Sequence, residues 1–345
     1  MKKKGFTLVE LLVVIAIIAM LLAILMPALG KVRQLAQRIM CGTNLTGIGK
    51  AMLTYATDDE YESFPVSGIA GTMWDRGSAY VEGKDTTWDW RDPDVYAAVD
   101  AAKFSTATLG SCLFLVIKYA DVAPDQFICP GSDLKKFELS KYDITPYKNK
   151  ISGFTNVWDF GAVEEENPSG ARGKGHNSYA YQFPLPITGK IAYGPTSTTN
   201  PAKALMADRN PFWQYDPATY DERSIKTAGV VYSWDPTNKK VMATSIPGGN
   251  ATYHQKDGQN VLYADQHSKF ERSANCGIEM DNIYTVWGLG TIDPSVDEGK
   301  RQCGTKHGTA PNASGDSAKP TQSDSYAPES EYDNYLVCDM DKSKP

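Results

Sequence analysis

Hydrophobic positions divide this chain into one long apolar segment and a body of mixed pattern. Between Phe6 and Leu29 only Thr7, Glu10 and Pro27 depart from apolar or small residues. A helix of about 20 apolar residues crosses the hydrocarbon core of a bilayer, so this segment is long enough to span a membrane. The pattern therefore predicts a membrane span, a signal peptide, or a segment that acts as both.

The apolar segment continues into an amphipathic pattern with the period of a helix. Apolar residues recur every three or four positions, at Val32, Leu35, Ile39, Leu45, Ile48, Met52 and Tyr55. This spacing predicts a single helix that reaches about Thr57 and is broken or weakened near Gly42 and Gly47. Its apolar stripe needs a partner, and we expect that partner to be a sheet formed by the rest of the chain.

Beyond the long helix the pattern changes to short strand-like runs separated by turn residues. Residues 229–234 and 260–265 are predicted strands, and residues 108–119 are a predicted second helix. Stretches near 60–100 and 140–175, rich in Gly, Asp and aromatic residues, predict large loops. The expected fold class is α+β: a long N-terminal helix, hydrophobic and then amphipathic, packed on an antiparallel β-sheet head with large loop insertions.

Composition and charge narrow the classes of function. The 345 residues carry a net charge of −6, and no clustered Lys/Arg surface is found, which argues against a nucleic-acid partner. Six widely spaced cysteines without a CxxC pair give no support to a zinc ribbon or a thioredoxin-like motif. Outside the cytoplasm they permit disulfides, and clustering favours pairing among Cys276, Cys303 and Cys338. No Walker loop, HExxH or nucleophile-elbow motif is found, so no enzyme activity is expected.

The N-terminus combines three lysines, one glycine and an embedded carboxylate. The lysines favour a cytoplasmic N-terminus, with the bulk of the chain across the membrane. Cleavage at Gly5 would leave the apolar segment on the product, unlike cleavage of a secretory signal. A carboxylate in a span is costly when unpaired. Glu10 therefore either pairs with the new amino group on Phe6, in its own chain or a neighbour, or lies at headgroup level.

The run Gly5-Phe6-Thr7-Leu8-Val9-Glu10 and the apolar residues after it resemble the class III signal of type IV prepilins and type II secretion pseudopilins. The resemblance implies that prepilin peptidase cuts after Gly5 and methylates Phe6. It also implies that Glu10 pairs with a neighbour's terminal amine during filament assembly. Pilin helices often carry a proline at the depth of Pro27, where the helix can kink or loosen; the alternative is that Pro27 marks the end of the span.

Short motifs in the body resemble a family of large pilin-like proteins whose C-terminal signature is a His followed about nine residues later by Asp-Gly. They are Cys41-Gly42-Thr43-Asn44-Leu45, Ile48-Gly49, Tyr55, Phe64-Pro65, Phe127-Ile128-Cys129-Pro130, Asn177-Ser178-Tyr179-Ala180-Tyr181, Ala207-Asp208-Arg209 and the block from His254 to His267. That last block is one residue longer than the family pattern, and Gln266 replaces the usual glycine. The replacement puts in doubt a positive-φ turn that glycine would support.

One group of side chains near the C-terminal signature has metal-binding chemistry. If residues 261–270 include a strand, alternation places Asp265 and His267 on one face, with His254 nearby. The three form either a metal site, because His and carboxylate ligands suit several divalent ions, or a polar cluster that ties the last strand to a loop. A metal-dependent hydrolase built on these three residues is a further hypothesis.

Aromatic and acidic runs in the predicted loops are the other candidate sites. Trp74, Trp88 and Trp90 stand among Asp and Arg residues, and they either stack on the sugar rings of a glycan or anchor a loop to the core. Acidic runs at 58–60, 164–166 and 339–341 either bind a divalent metal such as calcium or are solvated loops. None of them has the spacing of an EF-hand.

The patterns and the resemblance together predict five segments. These are a leader at 1–5, a transmembrane and assembly helix at 6–29, its amphipathic continuation at 30–57, a globular β-rich head at 58–303, and a flexible, partly docked C-terminal segment at 304–345. The single-pass protein is expected in the bacterial cytoplasmic membrane, with its N-terminus cytoplasmic and its head periplasmic or extracellular, and at the cell surface or in a filament after processing.

The expected function is that of a pilin-like or pseudopilin-like structural subunit without a cofactor, assembled through its N-terminal helix into a type IV pilus or a type II secretion pseudopilus. Its expected partners are prepilin peptidase, other pilin or pseudopilin subunits, the inner-membrane assembly platform and membrane lipid. The alternative is a membrane-tethered surface module with a glycan-binding head that forms no filament.

Overall fold

The structure is a computed structural model that describes the long helix and the core of the head. It covers residues 7–66, 109–132, 134–141, 148–149, 151–153, 156–160, 176–182, 194–209, 234–235, 240–241, 250–278, 281–284, 332 and 334–337. Several predictions fall on residues outside these ranges: those for Gly5, Phe6, Trp74, Trp88, Trp90, Cys303, Cys338, and most of the strand at 229–234.

Helix α1 runs without a break from Leu8 to Asp58, which is 51 residues or about 76 Å. It ends one residue beyond the predicted end. A capping box starts it: the Thr7 hydroxyl accepts a hydrogen bond from the Glu10 amide at 3.3 Å, and the Glu10 carboxylate accepts one from the Thr7 amide at 2.8 Å. Every residue from Thr7 to Arg33 is exposed, so the first half of α1 projects from the head.

Of the break or weakening predicted near the two central glycines of α1, the break is wrong. The helix continues through Gly42 and Gly47 because both lie where it touches the head. A Cβ atom on Gly42 would stand 3.3 Å from the Asn260 amide oxygen, and one on Gly47 would stand 3.0 Å from the Gln126 amide oxygen. Close packing therefore offsets the low helix propensity of glycine, about 1 kcal/mol per residue. The helix also continues past Pro27, whose missing N–H breaks one hydrogen bond of the ladder.

The apolar stripe of α1 is only half covered by the head. Leu45, Ile48 and Met52 are fully buried, as expected for a helix packed on the sheet. Val32 and Ile39, earlier on the same stripe, are each 61% exposed. The head therefore covers the C-terminal half of the amphipathic pattern and leaves the N-terminal half free.

The C-terminal part of α1 packs on a five-stranded antiparallel sheet. In chain order the strands are β1 (Tyr179–Gln182), β2 (Ala204–Asp208), β3 (Trp234–Asp235), β4 (Lys240–Val241), β5 (Gln259–Tyr263), β6 (Ser268–Glu271) and β7 (Leu336–Val337). The sheet order is β6-β5-β2-β1-β7, while β3 and β4 pair separately. Helix α1 packs on β5 and β6. The α+β fold predicted from the sequence is confirmed.

A second helix and a cluster of aromatic rings complete the core. Helix α2 spans Leu109–Ala120, in agreement with the prediction over the residues described, and it packs beside α1. Its Phe114 ring meets Phe160 edge-on, with 5.3 Å between centroids, and Phe160 in turn packs against Phe127 at 4.9 Å. These contacts hold α2 to the segment that precedes Cys129, and so help to position that cysteine.

The hairpin between β5 and β6 keeps the backbone geometry that the replaced glycine put in doubt. Gln266 adopts φ 71°, in the left-handed region, at a strain of about 1 kcal/mol for a residue with a Cβ. Its side-chain amide donates to the Ala264 carbonyl at 3.0 Å. Gln266 therefore keeps the turn at the position where the resemblance predicts a glycine.

Gly49→Ala tests how closely α1 approaches this hairpin. A Cβ atom on Gly49 would stand 2.8 and 2.9 Å from the two Leu262 methyl groups, closer than carbon atoms pack. We expect a loss of about 1–3 kcal/mol in unfolding free energy despite the better helix propensity of alanine. Urea unfolding of the detergent-solubilised chain measures the change. Gly30→Ala is the control, since nothing lies within 4 Å of its new Cβ, and equal midpoints for the two variants would contradict the close approach.

Candidate functional site

Four buried side chains from four separate segments meet beneath α1. They are Cys41 on α1, Cys129 after a 3₁₀ helix at Pro124–Phe127, Asp208 at the end of β2, and His254 in a 3₁₀ turn at Tyr253–Lys256. One potential ligand atom from each lies within 4.8 Å of all the others. None of the four residues is more than 8% exposed. The fold thus gathers two thiols, a carboxylate and an imidazole in a closed site.

The contacts inside this four-residue cluster centre on the His254 ring and the Asp208 carboxylate. His254 Nε2 lies 3.4 Å from Asp208 Oδ2 and 3.6 Å from Cys129 Sγ. The Cys41 thiol donates to Asp208 Oδ1 at 2.8 Å. The carboxylate therefore bridges the helix residue and the residue of the 3₁₀ turn.

Surrounding backbone and amide groups orient the ligand atoms of the cluster. Asp208 Oδ2 accepts hydrogen bonds from the Asn260 amide N–H at 2.7 Å and from the Asn260 side-chain amide at 3.3 Å. The Gly131 amide donates to Cys129 Sγ at 3.3 Å, which favours a thiolate there. Both contacts fix side chains from outside the cluster, as the second layer of a metal site does.

The turn that presents His254 is strained and held from two sides. His254, Gln255 and Lys256 have φ of 60°, 62° and 62°, which costs about 1–2 kcal/mol for each residue with a Cβ. The Asn250 side-chain amide donates to the Lys256 carbonyl at 3.0 Å. From the other side, Arg38 on α1 donates to the His254 carbonyl at 3.5 Å. The helix and the loop together hold a conformation that this sequence would not adopt alone.

Burial and mutual contact shift the pKa values of the cluster in different directions. Burial raises the pKa of the Cys41 thiol well above its usual value, whereas the hydrogen bond from Cys41 lowers the pKa of Cys129 to about 6. Burial alone would lower the pKa of His254, but its hydrogen bonds with Asp208 and Cys129 raise it to about 9. At neutral pH a protonated His254 ring thus lies between a thiolate and a carboxylate, and a borderline-soft divalent cation suits these donors once it displaces the ring proton.

The three residues proposed from the sequence as one cluster are not arranged as expected. Residues 261–270 are not one strand, because β5 ends at Tyr263 and a turn intervenes before β6, so the expected alternation fails. Asp265 and His267 lie in that exposed turn, hydrogen-bonded to each other, and the His267 ring stacks on Tyr263 with 4.6 Å between centroids. His254 lies instead in the buried four-residue cluster.

Three of the four cluster residues were missed as ligands in the sequence. Cys41, Cys129 and Asp208 each stand in a different body motif, and His254 begins the last one. The cysteines were considered only for disulfides and for closely spaced zinc motifs. The available signal was that four separate motifs each contribute one metal-binding type of residue.

Asp208→Ala tests how much of the head depends on this cluster. The change leaves the Asn260 amide and the His254 ring buried without their acceptor, so we expect a loss of about 3–5 kcal/mol in unfolding free energy. Urea unfolding measures it. The matched control is Asp257→Ala, whose side chain is 57% exposed and pairs with Arg38, for which about 1 kcal/mol or less is expected. Similar losses of unfolding free energy in the two variants would show that the buried contacts of Asp208 stabilise the head no more than an exposed ion pair does.

The fold thus combines a projecting apolar helix with a compact head, the form of a protein anchored by one N-terminal helix. Among the described residues, α1 is the one helix long and apolar enough to cross a membrane, and its apolar part is not buried in the head. Residues 1–26 match the family model described as the prokaryotic N-terminal methylation motif. Comparison with curated proteins and with solved structures finds no match.

The family match confirms the processing signal recognised in the sequence. Its position at residues 1–26 includes Gly5, Phe6 and Glu10, and it indicates a pilin-like precursor of the kind that prepilin peptidase processes. Proteins with this signal are structural subunits that assemble with other pilin-type subunits. The resemblance of the body motifs to the family with the C-terminal His and Asp-Gly signature stays a prediction.

Proposed function

We propose that this protein is a pilin-like or pseudopilin-like subunit that assembles through α1 into a type IV pilus or a type II secretion pseudopilus. The observation that carries the proposal is the division of α1 into two parts. Every residue from Thr7 to Arg33 is exposed, while the helix from Cys41 onward is fixed in the head. An apolar helix projecting from a folded head has the shape needed to pack beside identical helices.

The exposed stripe beyond the predicted span supports this packing. Val32, Leu35 and Ile39 are 61%, 58% and 61% exposed and lie on one face of α1 at helical spacing. A continuous apolar face outside the bilayer is unfavourable in water unless another surface covers it. When a subunit leaves the membrane and enters a filament, the helices of neighbouring subunits would cover both its membrane segment and this apolar face.

The proposal assigns a role to each segment of the chain. The leader, 1–5, is removed after Gly5 and Phe6 becomes the methylated N-terminus. The helix at 6–29 anchors the subunit and then packs in the filament, with Glu10 fixing the register. Pro27 allows local loosening of the helix there. The continuation at 30–57, the head at 58–303 and the C-terminal segment at 304–345 lie on the periplasmic or extracellular side.

Mass spectrometry of the mature N-terminus tests the proposal. The protein is purified from membranes and from sheared surface material, and the expected N-terminal peptide begins with N-methylated Phe6. A chain that retains Met1, or one that begins beyond the apolar segment, would overturn it. Immunogold labelling of the sheared fraction then separates a filament subunit from a tethered surface module, because only a subunit labels along filaments.

A further inference from the structure

We propose that Cys41, Cys129, Asp208 and His254 form a tetrahedral structural zinc site that fastens the head to α1. The inference does not depend on filament assembly. It rests on the spacing of the four ligand atoms, on their chemistry and burial, and on the segments from which they come.

Two distances around the His254 ring match those between the ligands of a tetrahedral zinc ion, whereas Cys41 Sγ and Asp208 Oδ1, 2.8 Å apart, form a hydrogen bond that zinc binding would replace. Zinc bonds of about 2.0–2.3 Å at tetrahedral angles place neighbouring ligand atoms roughly 3.3–3.8 Å apart. His254 Nε2 lies 3.4 Å from Asp208 Oδ2 and 3.6 Å from Cys129 Sγ, both in this range. The 3.4 Å separation is long for an N–H···O hydrogen bond, which is normally 2.7–3.2 Å. His254 Nε2 thus has two neighbours at the distances that co-ligands have, and the Asn260 side-chain amide lies 3.3 Å from the same nitrogen.

The donor set selects the metal. Two sulfur atoms, one imidazole nitrogen and one carboxylate oxygen suit Zn²⁺, which takes four such ligands. Calcium and magnesium prefer six or more oxygen ligands, so the divalent metal expected from the acidic runs of the sequence does not fit here. All four residues are buried, and a closed four-ligand site is typical of structural rather than catalytic zinc.

The strained turn gives an independent reason for a bound ion. Three consecutive left-handed residues with side chains, beginning at His254, persist only where surrounding contacts fix them. The left-handed conformation of the turn directs His254 Nε2 towards the Cys129 thiol and the Asp208 carboxylate. A bond from Nε2 to a metal would hold the turn in this conformation.

The origin of the ligands defines what the metal would do. Cys41 belongs to α1, whereas Asp208 and Cys129 belong to the head, and the contacts span 167 residues between Cys41 and Asp208 and 125 between Cys129 and His254. A crosslink that closes such long loops removes more unfolded-state entropy than a local one. The ion would therefore act as a fastener between the projecting helix and the head.

A disulfide between Cys41 and Cys129 is the competing product of the same geometry. In an oxidising compartment two cysteines this close could pair. The convergence of Asp208 and His254 on the two sulfur atoms favours metal, because a disulfide needs neither residue. Peptide mapping after alkylation of free thiols distinguishes the two, and a Cys41–Cys129 disulfide in the protein as isolated would overturn the proposal.

The decisive experiment measures zinc in the full chain, solubilised from membranes in detergent without chelator. After incubation with zinc chloride and desalting, elemental analysis is expected to give about one zinc per chain. His254→Gln and Cys41→Ser should each bind at least about tenfold less. Their matched controls, His267→Gln and Cys276→Ser, should bind as the wild type does. Absence of zinc from the wild type, or equal zinc in His254→Gln and His267→Gln, would overturn the proposal.

Cobalt reconstitution keeps the test valid if a ligand variant fails to fold. The wild-type chain loaded with cobalt chloride should show the intense visible bands of tetrahedral cobalt and the charge-transfer band of thiolate ligation. Weak bands of six-coordinate cobalt without charge transfer would overturn the site.

Chelator should also lower the unfolding temperature of the wild type and of His267→Gln to the same extent.

Discussion

Replacing Glu10 with valine is expected to exclude this protein from filaments while leaving its head folded. Glu10 lies in the first turn of α1, far from every contact between helix and head. Its carboxylate accepts hydrogen bonds from the Thr7 amide at 2.8 Å and the Thr7 hydroxyl at 2.7 Å. These bonds satisfy one carboxylate oxygen, and among the residues that the structure describes no cation pairs with the charge.

The uncompensated charge is the reason for the large effect. A carboxylate surrounded by packed apolar helices costs several kcal/mol unless a cation compensates it. A neighbour's terminal amine would supply that cation and set the register between two helices. Valine removes the charge and the register together, and each 1.4 kcal/mol lost in the contact reduces incorporation about tenfold.

Thr7→Val separates the charge of Glu10 from its role as a helix cap. This variant removes the Thr7 hydroxyl from the capping box, at about 1 kcal/mol, but keeps the carboxylate. Immunoblots of sheared filaments against whole cells measure incorporation, and urea unfolding of the solubilised chain verifies the head. Incorporation should fall at least about tenfold for Glu10→Val and stay near the wild-type level for Thr7→Val. Equal losses in both variants would assign the effect to the cap instead of the charge.

Replacing Gly5 with alanine is expected to leave the precursor uncleaved. Gly5 lies within the matched N-terminal methylation motif. The resemblance to prepilins implies that cleavage follows this glycine, and methylation of Phe6 requires the free amine that cleavage creates. An added methyl group next to the scissile bond would obstruct the peptidase. The leader with its three lysines would remain, and would hold the N-terminus at the cytoplasmic face.

Intact-mass analysis of membrane protein measures this effect directly. The Gly5→Ala chain should retain the mass of residues 1–5 and carry no methyl group, and it should be absent from sheared filaments. Lys4→Ala is the control, since it keeps the glycine and most of the basic charge, and it should be processed. Normal cleavage of Gly5→Ala would show that Gly5 is not the cleavage position.

The elements that depend on local pattern were predictable from the sequence. The period of apolar residues placed the end of α1 within one residue, because helical spacing and the turn signals after it are local properties. The break predicted as one alternative at Gly42 and Gly47 is wrong for a non-local reason. Propensity describes an isolated helix, whereas Asn260 and Gln126 contact those glycines from distant parts of the chain.

The buried cluster shows the same limit more sharply. His254 was recognised as a candidate ligand, but its partners were assigned by assuming one strand through residue 270, and the turn after Tyr263 removes that alternation. The true neighbours come from motifs as far as 167 residues apart. The packing of α1 and of two loops around the end of β2 brings them together, and a single sequence does not contain that information in a local form.

The joint at which α1 enters the head has a mechanical consequence. The helix from Leu8 to Ala36 is a free length of about 44 Å, and Cys41 is the first fully buried residue after it. Any pull along this length during extraction from lipid reaches the head at Gln37 and Arg38, which contact the Cys129 and His254 loops, and then at Cys41. Force applied to α1 therefore passes through the four-residue cluster. If these contacts broke, α1 would detach from the head before the sheet unfolded.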